Sequence, residues 1–301
     1  MAKDPERPRY GIAEWYGMSY LGLSPAERLR CAKAALKNVR PLPCPFQAGL
    51  PPCSKAGGVC SIRQYHGNDG QLIATDAGTK AICITCPQRF RQNNMIYQWI
   101  GHELLGTKDV VNLGEIPFLE RVGMADKEQP ADGDEVGRID NILAVRGSRP
   151  LAWCAVETQA VYFSGKGMIA DFKATSKLNG STIRPLHIRR PDFRSSGPKR
   201  LMPQLQIKVP TLSRWGKKTA VVVDQAFFDA MGRMRKEADK SNADVAWFIV
   251  ACDGASPIGT LVPQSVSFTT LASAVEGLTA GKPVTQQIFE SRILDRLTRL
   301  A

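Results

Sequence analysis

The 301-residue chain has no apolar run approaching the roughly 18 residues that a membrane-spanning helix needs, so no span is expected. No apolar stretch follows its start, Met1-Ala2-Lys3-Asp4-Pro5-Glu6-Arg7, so a secretory signal is not expected and the reading is a cytoplasmic protein. Histidine is scarce. His66, His102 and His187 are the whole set, and none lies in a nucleophile motif, which argues against Ser-His-Asp and Cys-His hydrolases. Aromatic residues make up only 7%, and no basic strand is rich in them, which counts against a protein that stacks single-stranded RNA bases. There is no internal repeat. Acidic residues are outnumbered, 28 against 40 Lys and Arg, and the net charge of +12 points to a polyanionic partner, nucleic acid before an anionic membrane surface.

What is present is otherwise ordinary for a globular protein, with 43% hydrophobic and 23% charged residues. The length suits a core with an appended module: an N-terminal region over 1–105 and a core over 106–301. Ser24-Pro25-Ala26-Glu27 predicts a helix start, with Ser24 as cap, Pro25 in the first turn and Glu27 closing a capping box. Helical spacing returns from Phe90 to Leu105, from Phe227 to Ala238, and from Gln286 to Leu300. Strands are expected over 138–145, 151–163, 219–224 and 244–251. Strands and helices alternate in the second half, which predicts an α/β fold with a mixed sheet flanked by helices.

Two acids fall inside these apolar strands, Asp140 and, seventeen residues later, Glu157. Ionised carboxylates there are costly unless paired, hydrogen-bonded or bound to metal. A divalent cation between them would relieve their repulsion, polarise a phosphoryl oxygen and lower the pKa of a water, which is the chemistry of phosphodiester hydrolysis. Gln159, two residues on, is expected on the same side of the strand as Glu157. The pattern Asp140…Glu157-x-Gln159 resembles the nuclease motif Pro-Asp…(Asp/Glu)-x-Lys, with Ile139 before the first acid and Gln in place of Lys. Gln can only orient a water by hydrogen bonding. A rival match, Pro191-Asp192…Gln206-Ile207-Lys208, keeps the Pro and the Lys and loses the second acid, so it ranks behind.

Five of the eight cysteines, Cys44, Cys53, Cys60, Cys83 and Cys86, crowd a Pro- and Gly-rich stretch over 41–87 that is too poor in apolar runs to build its own core. In a reducing compartment, four thiolates around one zinc or iron ion would staple it, and spacing alone does not say which cysteine is spare. The basic charge is concentrated: residues 184–218 hold ten Lys or Arg and one acid, Asp192. That density favours phosphate contact.

The ordered set Ile12-Ala-Glu-Trp-Tyr-Gly17, Gly57-Gly-Val-Cys-Ser61, Thr85-Cys-Pro-Gln-Arg-Phe90, Gly114-Glu-Ile-Pro-Phe-Leu119, Gly137-Arg-Ile-Asp140, Glu157-Thr-Gln-Ala-Val-Tyr-Phe-Ser-Gly165 and Arg194-Ser-Ser-Gly-Pro-Lys-Arg200 resembles the NotI-type restriction endonucleases, whose shorter EagI-like members suit this length. The resemblance implies a homodimeric type II enzyme of the PD-(D/E)XK fold, cleaving double-stranded DNA with magnesium within a GC-rich palindrome such as CGGCCG and leaving 5′ overhangs. It implies a four-cysteine iron (or zinc) site at Cys44, Cys53, Cys60 and Cys86, with Cys83 spare, and tolerance of Gln at position 159. Glu115 is implied as a further acid at the centre, with Glu120 its rival. Arg189, Arg190, Arg194, Lys199, Arg200 and Lys208 are the expected DNA-binding residues, reading guanines or gripping phosphates. The alternative is a non-catalytic DNA-binding regulator with a cysteine-metal module, which has no need of the acid pair.

Overall fold

A computed structural model describes residues 7–37, 42–75, 82–120, 135–253, 259–281 and 284–300. The chain begins with a small sheet. Strands β1 (Arg9–Trp15), β2 (Met18–Ser19), β3 (Val59–His66), β4 (Ile73–Ala74) and β5 (Cys83–Ile84) run in the order β2-β1-β3-β4, and β5 also pairs with β3. Helix α1 (Pro25–Leu36) follows the predicted start. Glu27 accepts from the Ser24 backbone N–H at 2.8 Å while Ser24 Oγ accepts from the Glu27 N–H, so both orphan donors of the first turn are satisfied. Trp15, Ile62 and Tyr65 from the sheet, Cys31 and Ala32 from α1 and Phe172 form one buried cluster.

The segment expected as one helix over 90–105 is a shorter α2 (Met95–Ile100), preceded by tight turns from Pro87 and followed by a wide π turn to Leu105. The left-handed backbones of Asn93 and Asn94 interrupt the helical path before Met95.

The second sheet has the order β15-β14-β13-β10-β9-β6. Its members and neighbours are β6 (Val111–Asn112), β7 (Ile116–Glu120), β8 (Glu135–Ile139), β9 (Asn141–Ala144), β10 (Trp153–Thr158), β11 (Tyr162–Gly165), β12 (Arg189–Asp192), β13 (Thr219–Asp224), β14 (Val245–Asp253) and β15 (Thr260–Thr269). β10, β13 and β14 are mutually parallel and the remaining neighbours antiparallel, so the fold is α/β with a mixed sheet. Parallel strands covered on both faces read as continuous apolar runs, and every residue of β13 is buried.

The expected strand over 138–145 is in fact two. It breaks at Asp140, because β8 leaves the main sheet to pair with β7 while β9 stays on β10. The expected strand over 151–163 likewise ends at Thr158, and the chain re-enters as β11, which pairs with β12. Helices α3 (Ile169–Lys177), α4 (Phe193–Ser196), α5 (Met202–Arg214), α6 (Gln225–Ala230), α7 (Leu271–Thr279) and α8 (Gln286–Leu300) complete the described elements. α6 stops short of the expected Ala238. The Gly232 N–H donates to Gly277 O and the Glu237 N–H to Phe268 O, which hold that stretch extended.

Leu205 and Val209 of α5 and Leu278 of α7 cover one face of the second sheet. The other face packs on Ile82, Ile84, Phe90, Ile96 and Ile100, so the core crosses position 105 and joins the two regions. A buried ion pair crosses with it. Arg89, its side chain 0% exposed, donates to both Glu14 oxygens, and its Nη2 also reaches Gly259 O at 2.6 Å. Burial alone would lower the Arg89 pKa; Glu14 outweighs it and the net shift is upward. Replacing one partner of such a pair strands the other charge in the interior, so Arg89→Met is expected to cost about 3–5 kcal/mol in urea denaturation.

Candidate active site

The break at Asp140 positions its side chain. β9 and β10 are in register Asn141↔Val156, so the next step brings Asp140 beside Glu157 at the open end of the ladder. Asp140 Oδ2 accepts from the Thr158 N–H at 3.1 Å, and the Asp140 N–H donates to the Glu157 carboxylate. Asn141 fixes the turn from the other side: its buried Oδ1 accepts from Tyr97 Oη, Asn112 Nδ2 and Arg91 Nη2 at 3.3–3.4 Å. The two predicted acids are therefore neighbours on adjacent strands, Asp140 half-buried and Glu157 buried.

Glu157 does not sit free. Lys208 of α5 donates to Oε1 at 2.7 Å and to Oε2 at 2.8 Å, and its third partner is Gln204 Oε1 at 3.3 Å. Burial pushes the Glu157 carboxyl up to about 7; repulsion from Asp140 adds to the rise and Lys208 opposes it. Two carboxylates and one ammonium thus converge where β10 meets α5. Lys208 was expected on the DNA-facing surface. α5 turns position 208 inward, onto the sheet, so its ammonium meets Glu157 beside the cleft instead of standing on the exposed basic surface. The signal in the sequence was the half-motif Gln206-Ile207-Lys208, whose lysine completes the other acid pair through space. The acid of that rival motif, Asp192, caps α4 instead, accepting from the Ser195 N–H at 3.0 Å.

Gln159 lies one residue past the end of β10, and its Nε2 donates to Ala160 O at 2.6 Å. Glu115 precedes β7, whose register Ile116↔Ile139 brings it across from Asp140. It is exposed and 3.6 Å from Arg138. Glu120 is at the far end of the same ladder, opposite Glu135, and its side chain lies outside the described residues.

A cleft of about 590 Å3 opens beside the pair, lined by Thr158, Gln159, Gln204, Lys199 and Arg200 from the second region. Lys55, Thr85 and Gln88 from the cysteine-bearing segment form its opposite wall. Arg200 lies over the Tyr162 ring, 3.8 Å from its centroid, with Nη1 donating to the Tyr162 hydroxyl. Arg190, Arg194, Lys199 and Arg200 are exposed, as a phosphate-facing surface requires. Arg189 is not. Its guanidinium is spent on Asp171 at 2.6 Å and on the carbonyls of Lys166 and Gly167, so the expectation that it faces DNA is corrected. Lys55 in the cleft wall was missed, because spacing among cysteines carries no information about the lysine between them.

Among the described residues no three His, Cys, Asp or Glu side chains are arranged to hold a metal ion. Four thiols are nonetheless gathered. The Cys44 N–H donates to Pro51 O and the Cys53 N–H to Leu42 O, closing one bend, and the Cys86 N–H donates to Cys60 O. Cys44, Cys60 and Cys86 share a buried cluster with Phe46, and Cys53 lies close enough to Cys86 and Cys44 for them to raise its thiol further. Cys83 stands apart, beside Asp224 and Cys252. As they stand, Cys53 Sγ donates to Lys55 O and Cys60 Sγ to Gly58 O, the bonding of neutral thiols. Burial, foremost, raises the thiols of Cys53, Cys60 and Cys86. Thiolates are the donors a soft ion takes, so the residue types gathered here suit one.

The family model described as Restriction endonuclease NotI matches residues 28–260. No curated protein matches the chain. No helix among the described residues is long and apolar enough to cross a membrane.

The two arginines at 189 and 190 separate structure from surface. Arg189→Met is expected to cost about 3–5 kcal/mol in urea denaturation by stranding Asp171. Arg190→Ala is expected to stay within about 0.5 kcal/mol of the parent.

Proposed function

From its membership of the NotI restriction endonuclease family, which makes the chain a type II site-specific deoxyribonuclease acting on double-stranded DNA, we propose that it hydrolyses phosphodiesters with magnesium at Asp140 and Glu157. One observation carries this: a buried carboxylate and a half-buried one meet at the open end of a ladder, beside a cleft walled by cations. Two carboxylate donors at one point fit a hard divalent ion. Asp140 and Glu157 would hold magnesium, with Glu115 the nearest further acid, and magnesium would supply Lewis-acid polarisation and a low-pKa water.

The chain's own groups do the rest. The Thr158 N–H fixes the Asp140 carboxylate. Gln159, at the cleft floor, orients the attacking water once its amide turns from Ala160 O. Lys199, Arg200, Arg190 and Arg194 hold the DNA backbone or read guanines in the major groove. A regulator has no need of this acid pair. The core is read as a PD-(D/E)XK fold, and the target as a GC-rich palindrome such as CGGCCG, cut to 5′ overhangs inside the cell. Two copies, one per strand, suit a palindrome. Support for pairing comes from α8, which exposes Phe289, Ile293, Leu294 and Leu297. In the N-terminal region Cys44, Cys53, Cys60 and Cys86 would hold the structural iron or zinc, leaving Cys83 out.

Plasmid digestion tests the centre. Wild type is expected to give discrete magnesium-dependent fragments, and Glu157→Gln, which keeps a partner for Lys208, to give none; uncut plasmid with wild type in both magnesium and manganese overturns the reading. Elemental analysis tests the cysteines. Cys86→Ser is expected to lose the bound iron or zinc and Cys83→Ser to retain it; equal retention in both refutes the ligand set.

A further inference from the structure

The catalytic centre proposed above has two acids and, at position 159, a residue without charge. A cation is nevertheless present. We propose that Lys208, entering from α5, is the catalytic cation of this centre and contacts the scissile phosphate. The inference rests on the nuclease reading and deepens it.

Lys208 is the only lysine in the core among the described residues. The buried arginines are all consumed by architecture: Arg28 by the carbonyls of Gly180, Tyr20 and Leu23, Arg89 by Glu14, Arg189 by Asp171. Each of those sites uses the planar fork that suits a fixed multidentate contact. Lysine is a compact charge on a flexible stem, and suits a group that must shift by an ångström or two. Its three donors are also unequal. Two are short and hold Glu157. The third, to Gln204 Oε1, is the longest at 3.3 Å, and Gln204 lines the cleft together with Thr158 and Gln159. A phosphate oxygen entering the cleft can replace Gln204 as the third acceptor without pulling the ammonium from Glu157. Gln159 cannot take this role, since its amide carries no charge.

In the reaction the water oxygen forms a bond to phosphorus as the bond from phosphorus to the ester oxygen breaks. The water's proton goes to solvent, and the departing oxygen takes one up. Lys208 exchanges no proton; it offsets the negative charge that builds on the phosphoryl oxygens, a contribution realised in the transition state rather than in binding.

The test measures single-turnover cleavage of plasmid in magnesium, and DNA affinity in calcium, for wild type, Lys208→Met, Lys208→Arg and the double variant Gln159→Lys/Lys208→Met. Lys208→Met is expected to slow cleavage on the order of 10²–10³-fold while affinity stays within about threefold. Moving the lysine to position 159 in the double variant is expected to recover about tenfold or more of the rate, a rescue that a merely structural role would not give. Lys208→Arg keeps Glu157 paired and serves if Lys208→Met does not fold; its rate is expected to fall about tenfold or more at an unchanged melting temperature, because a fork does not replace a point charge. Cleavage by folded Lys208→Met or Lys208→Arg within about threefold of wild type overturns the proposal, as does a loss confined to DNA affinity. If wild type itself never cuts, the nuclease centre and this inference fall together.

Discussion

The buried Glu14–Arg89 pair is the tie on which the arrangement of this molecule depends. It links the first strand of the small sheet to the turns after Cys86, and through Gly259 O to the entry of β15. Gln92 repeats the link, donating to Gly259 O and accepting from the Leu261 N–H. Ser61 Oγ donates to the remaining face of the Glu14 carboxylate. With each nitrogen of the guanidinium and both carboxylate oxygens engaged, the desolvation of both charges is offset, and two sheets that share one apolar core are tied together. The cleft is lined by residues from both of these regions, which the pair ties together.

The same accounting sorts the basic segment. Residues 184–218 look uniform as a run of charge, yet Arg189 and Lys208 point inward to acids while Arg190, Arg194, Lys199 and Arg200 face water. A count of charges cannot make that division. It is made by strand alternation at 189 and 190, and by the face of α5 that packs beneath β10.

Local signals were legible. The α1 cap follows from three residues that contact one another, and the apolar runs of β13 and β14 declare strands covered on both faces. The two acids were legible too, because charge inside an apolar run is costly and needs a reason. What was not legible depends on partners distant in sequence. The strand over 138–145 breaks at Asp140 only because β7 draws β8 away, and that break is what frees Asp140 to reach Thr158. Alternation places Gln159 two residues from Glu157 but does not announce that its amide turns onto Ala160 O just past the end of β10. Lys208 joins Glu157 across 51 residues, a meeting that no spacing rule within one strand can announce.

Helical turns follow one another from Gly197 to Arg214, opening with a wide π turn before α5 and carrying Pro203 and Pro210, which donate no backbone hydrogen bond. Lys199 and Arg200 stand at the outer end of this rod, and Lys208 lies about 12 Å further along it at the usual rise of a helix. The proposed grip on the DNA backbone and the charge beside Glu157 would therefore lie on one helical path, about two turns apart, rather than on separate elements.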